Sequence, residues 1–361
     1  MRRCIRLFCS CWMLCLATLG NALACAICAP ADGQNTLVYR LYAADTVALA
    51  TADAASGIYR LGALLKGRLP TEPIRVGQWL PDGPAPKAGN SVLLLYSAGA
   101  REWRGAGALS AGRAGWVREL VALQPATVTT KPDWAARLSF FAADLENAEA
   151  LVAQTAYEEI AVAPYGAMRA LKGQLPLQAL RSWLANAAPA QRKPLYLLLL
   201  GIAGDATDAQ RLITGMPVAT DAASMSDLSG ALAAVLEMRG AAGADWLEQA
   251  YLARADRSAF EVQAAVLALG VHGGDGVRVS RRRVVSAYET LARRNPAMVG
   301  YAASDLAAWG HWEFGTYFAQ ILRSGAPTAF TARYPMVFFL LRSPRAQDRA
   351  AVEALRAERL L

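Results

Sequence analysis

Apolar side chains recur at helical spacing through most of the chain, from about residue 133 to near residue 355. Trp134, Leu138, Phe141 and Leu145 stand at positions i, i+4, i+7 and i+11, which is the stripe of an amphipathic helix. Comparable stripes follow, and glycine, proline or aspartate separates nearly every one from the next. Roughly ten short helices without intervening strands predict an all-α region of stacked helical pairs.

The segment from Thr36 to Trp103 has a different pattern, in which aliphatic and aromatic runs alternate with turn residues. We expect one short helix over residues 36–44, followed by strands at 46–51, 58–65, 74–76 and 91–96. Four or five strands within about 70 residues favour a small antiparallel barrel or sandwich. The sequence therefore predicts an α+β multidomain chain, in which a small antiparallel β-barrel precedes the helical region.

The cysteines are confined to one end of the chain. All six lie within the first 28 residues, and the whole sequence contains only two histidines, His272 and His311. This distribution excludes a disulfide framework spread over the fold, and it excludes a metal centre that takes thiolate ligands from the body of the protein. We predict no metal site in the body of the protein, and no motif in the sequence implies a cofactor.

The first 24 residues have the three-part pattern of a secretory signal peptide. A basic start precedes an apolar run over residues 7–19, which is shorter than the ~20 residues that cross a bilayer as a helix. Ala22 and Ala24 supply the small residues that a signal peptidase recognises. We predict cleavage after Ala24 and export to the periplasm, with an uncleaved membrane anchor as the alternative.

Cleavage after Ala24 would leave Cys25 and Cys28 as the only cysteines of the mature chain. Acylation of Cys25, as in a lipoprotein, would tether the protein to a membrane. Membrane contact is otherwise predicted only through the signal peptide. The C-x-x-C pair fits a short disulfide or terminal clip, and a dithiol redox centre or a copper site is the other interpretation.

Two motifs in the strand region resemble a known family. The entry to the first strand, over residues 44–49, and the run Tyr-Arg-Leu-Gly-Ala-Leu-Leu-Lys-Gly over residues 59–67 follow a mature N-terminal cysteine. This combination resembles the bacterial relatives of the netrin-like domain, the OB-type barrel also found in tissue inhibitors of metalloproteinases. The resemblance covers about 70 residues and implies an OB-type barrel. This sequence lacks the barrel cysteines that tie the N-terminus of those inhibitors.

The helical region contains a weak internal repeat. A glycine turn at Gly201 with Asp208 recurs as Gly240 with Asp245, which lies 37 residues after Asp208, and Trp312 follows Asp245 by 67 residues. The spacing resembles HEAT-like repeats of about 35 to 40 residues, whose first helix ends in a glycine turn before an aspartate-led second helix. The resemblance covers about residues 130–355 and implies a helical solenoid. With the strand region, the whole chain resembles a group of exported bacterial proteins.

The densest basic run consists of Arg278, Arg281, Arg282 and Arg283. It has no interleaved aromatic residues of the kind that build nucleic-acid platforms, so we predict no nucleic-acid partner. We expect it to form the solvated first turn of a helix that Ser280 caps. As a partner surface it would suit an acidic protein or anionic lipid head groups.

The remaining candidate groups indicate structure rather than catalysis. The run His-Gly-Gly-Asp-Gly over residues 272–276 is predicted to be a loop, because Gly-Gly and Asp-Gly pairs mark turns. His311 stands between tryptophans, and we expect it to be hydrogen-bonded within a helix turn. A solvated face is expected to carry the glutamates Glu146, Glu149, Glu158 and Glu159.

These patterns predict four segments: a signal peptide (1–24), a barrel domain (25–104), a linker with a short helix (105–132) and a helical-repeat domain (133–361). We expect a non-enzymatic, exported scaffold of the bacterial cell envelope that binds an unidentified protein, because stacked repeats form extended concave surfaces. A thiol redox or copper-handling protein using Cys25 and Cys28 is the first alternative. A netrin-like protease inhibitor is the second.

Overall fold

The computed structural model describes residues 27–28, 36–52, 58–80, 87, 89–126, 132–186, 191–325 and 328–361. The predicted signal peptide and Cys25 lie outside the described residues. The chain divides into two compact units, one ending at Pro164 and the other starting at Tyr165, and Ile27 and Cys28 group with the second. Within the described residues, no helix combines the length and the apolar character needed to cross a membrane.

The first unit contains a five-stranded sheet. Its strands are β1 (Thr46–Ala52), β2 (Tyr59–Lys66), β3 (Val76–Trp79), β4 (Ser91–Ser97) and β5 (Glu102–Ala108), in the order β2-β1-β4-β5-β3. All neighbouring strands pair antiparallel except β3, which runs parallel to β5. The core on the sheet is formed by Ala48, Ala50, Ile74, Val92, Leu94 and Trp103. The α+β class is confirmed, and the sheet is open between β2 and β3.

The two edges of this sheet approach each other at one end. The Tyr59 N–H at the start of β2 donates to the Ile74 carbonyl, 2.9 Å away and two residues before β3. The Tyr59 and Trp79 rings face each other with centroids 6.2 Å apart. Gly105 on β5 accommodates the Trp79 ring, which occupies the space where a Cβ would stand. The predicted antiparallel barrel is therefore not shown in the described residues, because the sheet does not close and β3 pairs parallel with β5.

Four α-helices accompany the sheet among the described residues of the first unit. They are α1 (Leu37–Ala43), α2 (Ala114–Ala122), α3 (Trp134–Ala142) and α4 (Ala150–Ala161). Helix α1 begins where expected, because the Thr36 side chain caps it by accepting from the Tyr39 N–H. Helix α4 packs on β5, where the Leu151 side chain lies against Gly107.

The compact unit therefore differs from the predicted barrel domain (25–104) and linker (105–132). Strand β5 continues to Ala108, and the Glu149 carboxylate before α4 accepts from the Ser110 N–H and from Arg113 Nε at 2.8 and 2.7 Å. These contacts fasten the segment after residue 104 to helices that the sequence assigned to the repeat domain. The unit ends at Pro164 instead.

The second unit consists of helices joined by short turns. These are α5 (Tyr165–Met168), α6 (Leu177–Ala185), α7 (Lys193–Ala203), α8 (Ala206–Thr214), α9 (Ala222–Arg239), α10 (Ala241–Leu247), α11 (Ala259–Asp275), α12 (Arg281–Arg294), α13 (Ala303–Ala308), α14 (Gly315–Arg323), α15 (Phe330–Arg342) and α16 (Ala346–Ala357). A 3₁₀ turn over Pro296–Ala302 precedes α13. Consecutive helices pack as pairs, and α7, α9 and α11 lie side by side.

Hydrogen bonds between successive pairs reveal the repeat length. His272 Nε2 lies 2.9 Å from the Ala233 carbonyl oxygen, Arg283 Nε donates to Asp245, and Thr290 donates to Glu248. The residues joined in this way are 38 to 42 positions apart. Because each bond links one helical pair to the next, the second unit has the repeat-like stack that the helical stripes predict.

The predicted anchor residues of the repeat are not equivalent to one another. Asp208 is the third residue of α8 and is buried, and it completes a capping box with Asp205. Asp245 lies in the middle of α10 with 68% of its side chain exposed, and it pairs with Arg283. An aspartate capping a helix and an aspartate on a helix surface have different roles, so the repeat register inferred from them is wrong.

Glycine permits the closest approach between repeats. A Cβ on Gly201 of α7 would lie 2.7 Å from the Ala234 Cα of α9, so these two helices touch through their backbones.

The predicted loop at 272–276 is wrong for a related reason. Helix α11 continues to Asp275, and Gly273 lies against the Trp309 ring. Only Gly276 leaves the helix, as a left-handed C-cap with φ of 68°.

Candidate functional site

A cleft of about 340 Å³ opens between helices α6, α7, α8 and α9 of the second unit. Its interior is apolar: Leu197 and Leu200 of α7 are 4% and 5% exposed, and Leu184 and Leu212 are half-buried around them. Helix α7 carries four consecutive leucines and packs on both α6 and α9. Leu197 and Leu200 of this run line the cleft, where an apolar group could displace water.

Cationic side chains line the rim of the cleft. Arg181 of α6, Lys193 of α7 and Arg211 of α8 all border it, with 26%, 39% and 66% of their side chains exposed. Asp208 is the one carboxylate among the lining residues. Two carboxylates outside the lining pair with the same cations, Asp205 with Arg181 at 3.6 Å and Asp227 with Lys193. The positive charge that an anionic ligand would meet is therefore carried mainly by Arg211.

Asp208 holds two of these cations in place. Its carboxylate accepts from Arg181 Nε at 3.0 Å and Nη2 at 2.7 Å, and from Arg211 Nη1 at 3.3 Å. The Arg181 hydrogen bonds lower the pKa of Asp208 despite its burial. Lys193 is fixed separately, by Asp227 at 2.8 Å. Arg211 keeps most of its guanidinium in solvent, so it is the cation best placed to meet a ligand.

A second, polar cleft of about 330 Å³ lies near the ends of α7 and α9. Beneath it, Glu237 accepts from Arg169 Nε and Nη2 at 2.9 and 2.7 Å and from the Tyr165 hydroxyl at 3.2 Å. Burial opposes ionisation of Glu237, but these Arg169 bonds outweigh it and lower its pKa. Arg169 also bonds Asp275. Its guanidinium is thereby committed to intramolecular partners.

His272 lies behind this cluster and is fully buried. Its Nδ1 has no hydrogen-bond partner among the described residues and stands 3.8 Å from Glu237 Oε2. Burial lowers the pKa of His272, which favours the neutral ring. The Tyr165 ring packs edge-on against it at 5.1 Å. The arrangement locks α5, α9 and α11 together, and His272 does not line either cleft.

The basic run begins helix α12, and Ser280 caps this helix as predicted. Arg278 donates to the Glu237 and Met238 carbonyls, and Arg281 donates to the Gly273 and Gly274 carbonyls. These contacts satisfy the C-terminal carbonyls of α9 and α11. Arg283 bonds Asp245 and Glu248. Arg282 is exposed and makes no such contact within the described residues. The use of this run as a partner surface stays a prediction.

The structure places the other candidate residues apart from the cleft. Cys28 is buried, with 2% exposure, which restricts the access of reaction partners to its thiol. Its predicted partner Cys25 lies outside the described residues. His311 lies before a 3₁₀ turn with 37% of its side chain exposed, and its backbone N–H donates to the Leu306 carbonyl.

The solvated face predicted for the glutamates is wrong for Glu158 and Glu159. Glu159 is 1% exposed and accepts from Arg137 Nε and Nη2 at 3.0 and 2.5 Å, so a buried counter-charge replaces its water shell. Glu158 is half-buried, and burial raises its pKa although Gln154 and the Leu37 N–H donate to it. Both residues lie on α4, which has neighbours on more than one side.

Asp305 is a further half-buried carboxyl group, and it lies in the first turn of α13. Its Oδ2 accepts from the Tyr288 hydroxyl at 2.6 Å, beside Gly270, which has no side chain to displace it. Burial raises the pKa of Asp305 to about 6, although the Tyr288 bond acts in the opposite direction. Ionised Asp305 therefore weakens the fold at neutral pH.

We expect Asp305→Asn to raise the free energy of unfolding at pH 7 by about 2–3 kcal/mol. The unfolded carboxyl ionises near pH 3.8 and the folded one near pH 6, so the parent protein loses stability as the pH rises between these values. The variant does not. Urea unfolding should show a difference at pH 7 that disappears below pH 3.8. An asparagine variant less stable than the parent at pH 7 would contradict this assignment.

The cleft was not predictable from the sequence, because its residues come from separate helices. Arg181 and Asp208 are 27 residues apart, and the repeat pattern that includes Asp208 does not indicate its pairing with Arg181. The sequence feature that could have indicated the cleft is the leucine run of α7, which is longer than one buried helix face requires. In the described part of the chain, no three His, Cys, Asp or Glu side chains are grouped to hold a metal ion. The sequence matches no protein-family model and no curated protein.

Proposed function

We propose that the second unit is a non-enzymatic binding module for an extended protein segment that carries one large apolar side chain beside acidic residues. The cleft supports this proposal, because it combines leucines in its interior with cations on its rim. An apolar side chain buried there would contribute about 1.5–3 kcal/mol. Acidic neighbours would approach Arg211 and Arg181, which adds specificity and speeds association.

The proposal extends to the location of the protein and to its sheet. The pattern of residues 1–24 supports export to the cell envelope, where the helical stack would act as a scaffold for its partner. The approach of the β2 and β3 edges at Tyr59 supports an OB-type barrel for the first unit. Neither export nor the OB-type barrel is inferred from the cleft, so a test of the cleft leaves both proposals unaffected.

Fluorescence anisotropy with labelled decapeptides tests the binding proposal on the full chain. The probe has a central phenylalanine flanked by aspartate and glutamate, and the matched peptides carry central glycine or lysine flanks. We expect the acidic phenylalanine peptide to bind at least about tenfold more tightly than either. Higher salt should weaken its binding, because the rim charges are exposed. Equal affinities for the three peptides would overturn the proposal.

Substitutions at the rim locate the binding. Lys193→Glu/Arg211→Glu should weaken binding of the acidic peptide at least about tenfold, because two attractions become repulsions. Arg254→Glu is the matched control, since Arg254 is 52% exposed and pairs with Asp256 on the same unit away from the cleft. Its affinity should stay within about twofold of the parent. A loss of binding in Arg254→Glu as large as in the rim variant would place the ligand elsewhere.

A further inference from the structure

Helix α15 carries a row of exposed apolar side chains that the proposed peptide site does not use. Tyr334, Phe338 and Leu341 are 51%, 45% and 48% exposed, and their spacing of four and three residues places them on one face. The opposite face is buried through Ala332, Met336, Phe339 and Leu340. A helix that is apolar on both faces needs a second apolar environment beyond its own core. We call Tyr334, Phe338 and Leu341 the aromatic row.

The charged residues of helix α15 itself have one sign. Helix α15 contains two arginines, Arg333 and Arg342, and no acidic residue. Arg342 is exposed at the same end as Leu341, and it makes no hydrogen bond or ion pair within the described residues. Arg333 and Arg345 donate to the Leu360 and Trp312 carbonyls, each at 2.7 Å, so Arg342 is the arginine that could meet a ligand here. A binding partner for this surface must therefore have an apolar interior and negative charge at its border.

The exposed area of the aromatic row distinguishes between two candidate partners, a second copy of the chain and a lipid bilayer. Three half-exposed side chains offer about 300 Å², whereas each partner in a stable dimer buries about 800 Å². A second copy of the chain is therefore a poor fit. A bilayer surface accepts a small apolar row, since the side chains enter between head groups and arginines reach the anionic phosphates. Tyr334 suits this boundary because its ring is apolar and its hydroxyl can stay in water, whereas Phe338 and Leu341 supply apolar surface alone.

We propose that α15 docks the second unit on an anionic lipid surface. Tyr334, Phe338 and Leu341 enter the head-group region, and Arg342 binds lipid phosphate at its edge. The helix lies in the plane of the surface, because its buried face still packs on the turn at residues 296–302 and on α14. Docking of this kind is reversible and independent of the peptide cleft, which lies on α6 to α9.

Vesicle co-sedimentation of the full chain tests the proposal. The probes are mixed phosphatidylcholine–phosphatidylglycerol vesicles and pure phosphatidylcholine vesicles. Phe338→Ser/Leu341→Ser should lower the bound fraction on the anionic vesicles at least about fivefold. Arg342→Glu should weaken anionic binding and leave neutral binding unchanged. The apolar run over residues 7–19 is identical in all variants, so a difference in bound fraction between them comes from the substituted positions.

The matched control is Val218→Ser/Val277→Ser, which alters two valines of the same unit that are each 69% exposed. We expect it to sediment with anionic vesicles like the parent. Thermal unfolding of every variant checks that the fold is intact, and light scattering reports the oligomeric state. Equal sedimentation of the row variant and the valine control would overturn the proposal. So would a parent dimer that the row substitutions convert to a monomer, because the row would then bind a second copy.

Discussion

We expect Arg137→Met to lower the free energy of unfolding by about 3–5 kcal/mol. The Arg137 and Glu159 side chains are 4% and 1% exposed, and Glu159 Oε1 already lacks a partner among the described residues. Methionine fills most of the space but leaves a buried carboxylate without its counter-charge. It also removes the bond from Arg137 Nη1 to the Gln124 carbonyl, 2.8 Å long. Urea unfolding measures the loss.

Two companion variants separate the buried charge from general damage. Arg137→Met/Glu159→Leu should recover at least half of the lost stability, since an apolar pair needs no counter-charge. Arg113→Met breaks the pair with Glu149, in which the two side chains are 31% and 28% exposed, and it should cost less than about 1 kcal/mol. If Arg137→Met lowers the free energy of unfolding no more than Arg113→Met does, the Arg137–Glu159 pair is not the buried, stabilising pair described.

We expect Gly300→Ala to lower the free energy of unfolding by about 2–4 kcal/mol. A Cβ at Gly300 would fall inside the van der Waals surface of the Ala332 carbonyl, in the first turn of α15. Backbone atoms cannot rotate aside as a flexible side chain would, so α15 must shift away from the turn at residues 296–302. Thermal or urea unfolding of the purified variant provides the measurement.

Gly274→Ala is the control for this substitution. Gly274 lies within α11, where an added Cβ would meet no atom within 4 Å. Alanine has the higher helix propensity, so this variant should gain up to about 1 kcal/mol. Opposite signs at the two glycines would show that close packing, and not helix propensity, decides the effect at Gly300. A neutral Gly300→Ala would mean that α15 does not pack as described.

The elements that follow from local chemistry were predictable from the sequence. Thr36 caps α1, Ser280 caps α12, and the aliphatic runs of β1 and β4 form central strands. Strand β5 was not recognised, because Gly105 and Gly107 lower its strand propensity. Gly105 is explained by the Trp79 ring above it, a contact between residues far apart in sequence.

Long-range contacts also explain why the site was not predicted. The glycines of the 272–276 run indicate a turn when they are considered alone, yet the Trp309 ring against Gly273 keeps them helical. Glu159 belongs to a charged pattern typical of a surface, and only Arg137 makes its burial possible. The cleft depends in the same way on Asp208, which brings Arg181 and Arg211 together from two helices.

Leucine-methyl NMR spectra of the full chain, recorded with and without the acidic phenylalanine peptide, show whether the peptide binds in the cleft. We expect the methyl signals of Leu184, Leu197, Leu200 and Leu212 to shift on binding, because these leucines line the cleft. Leu341, in the aromatic row on α15, should keep its position. Unchanged cleft leucines at a peptide concentration that saturates binding would contradict the proposed function.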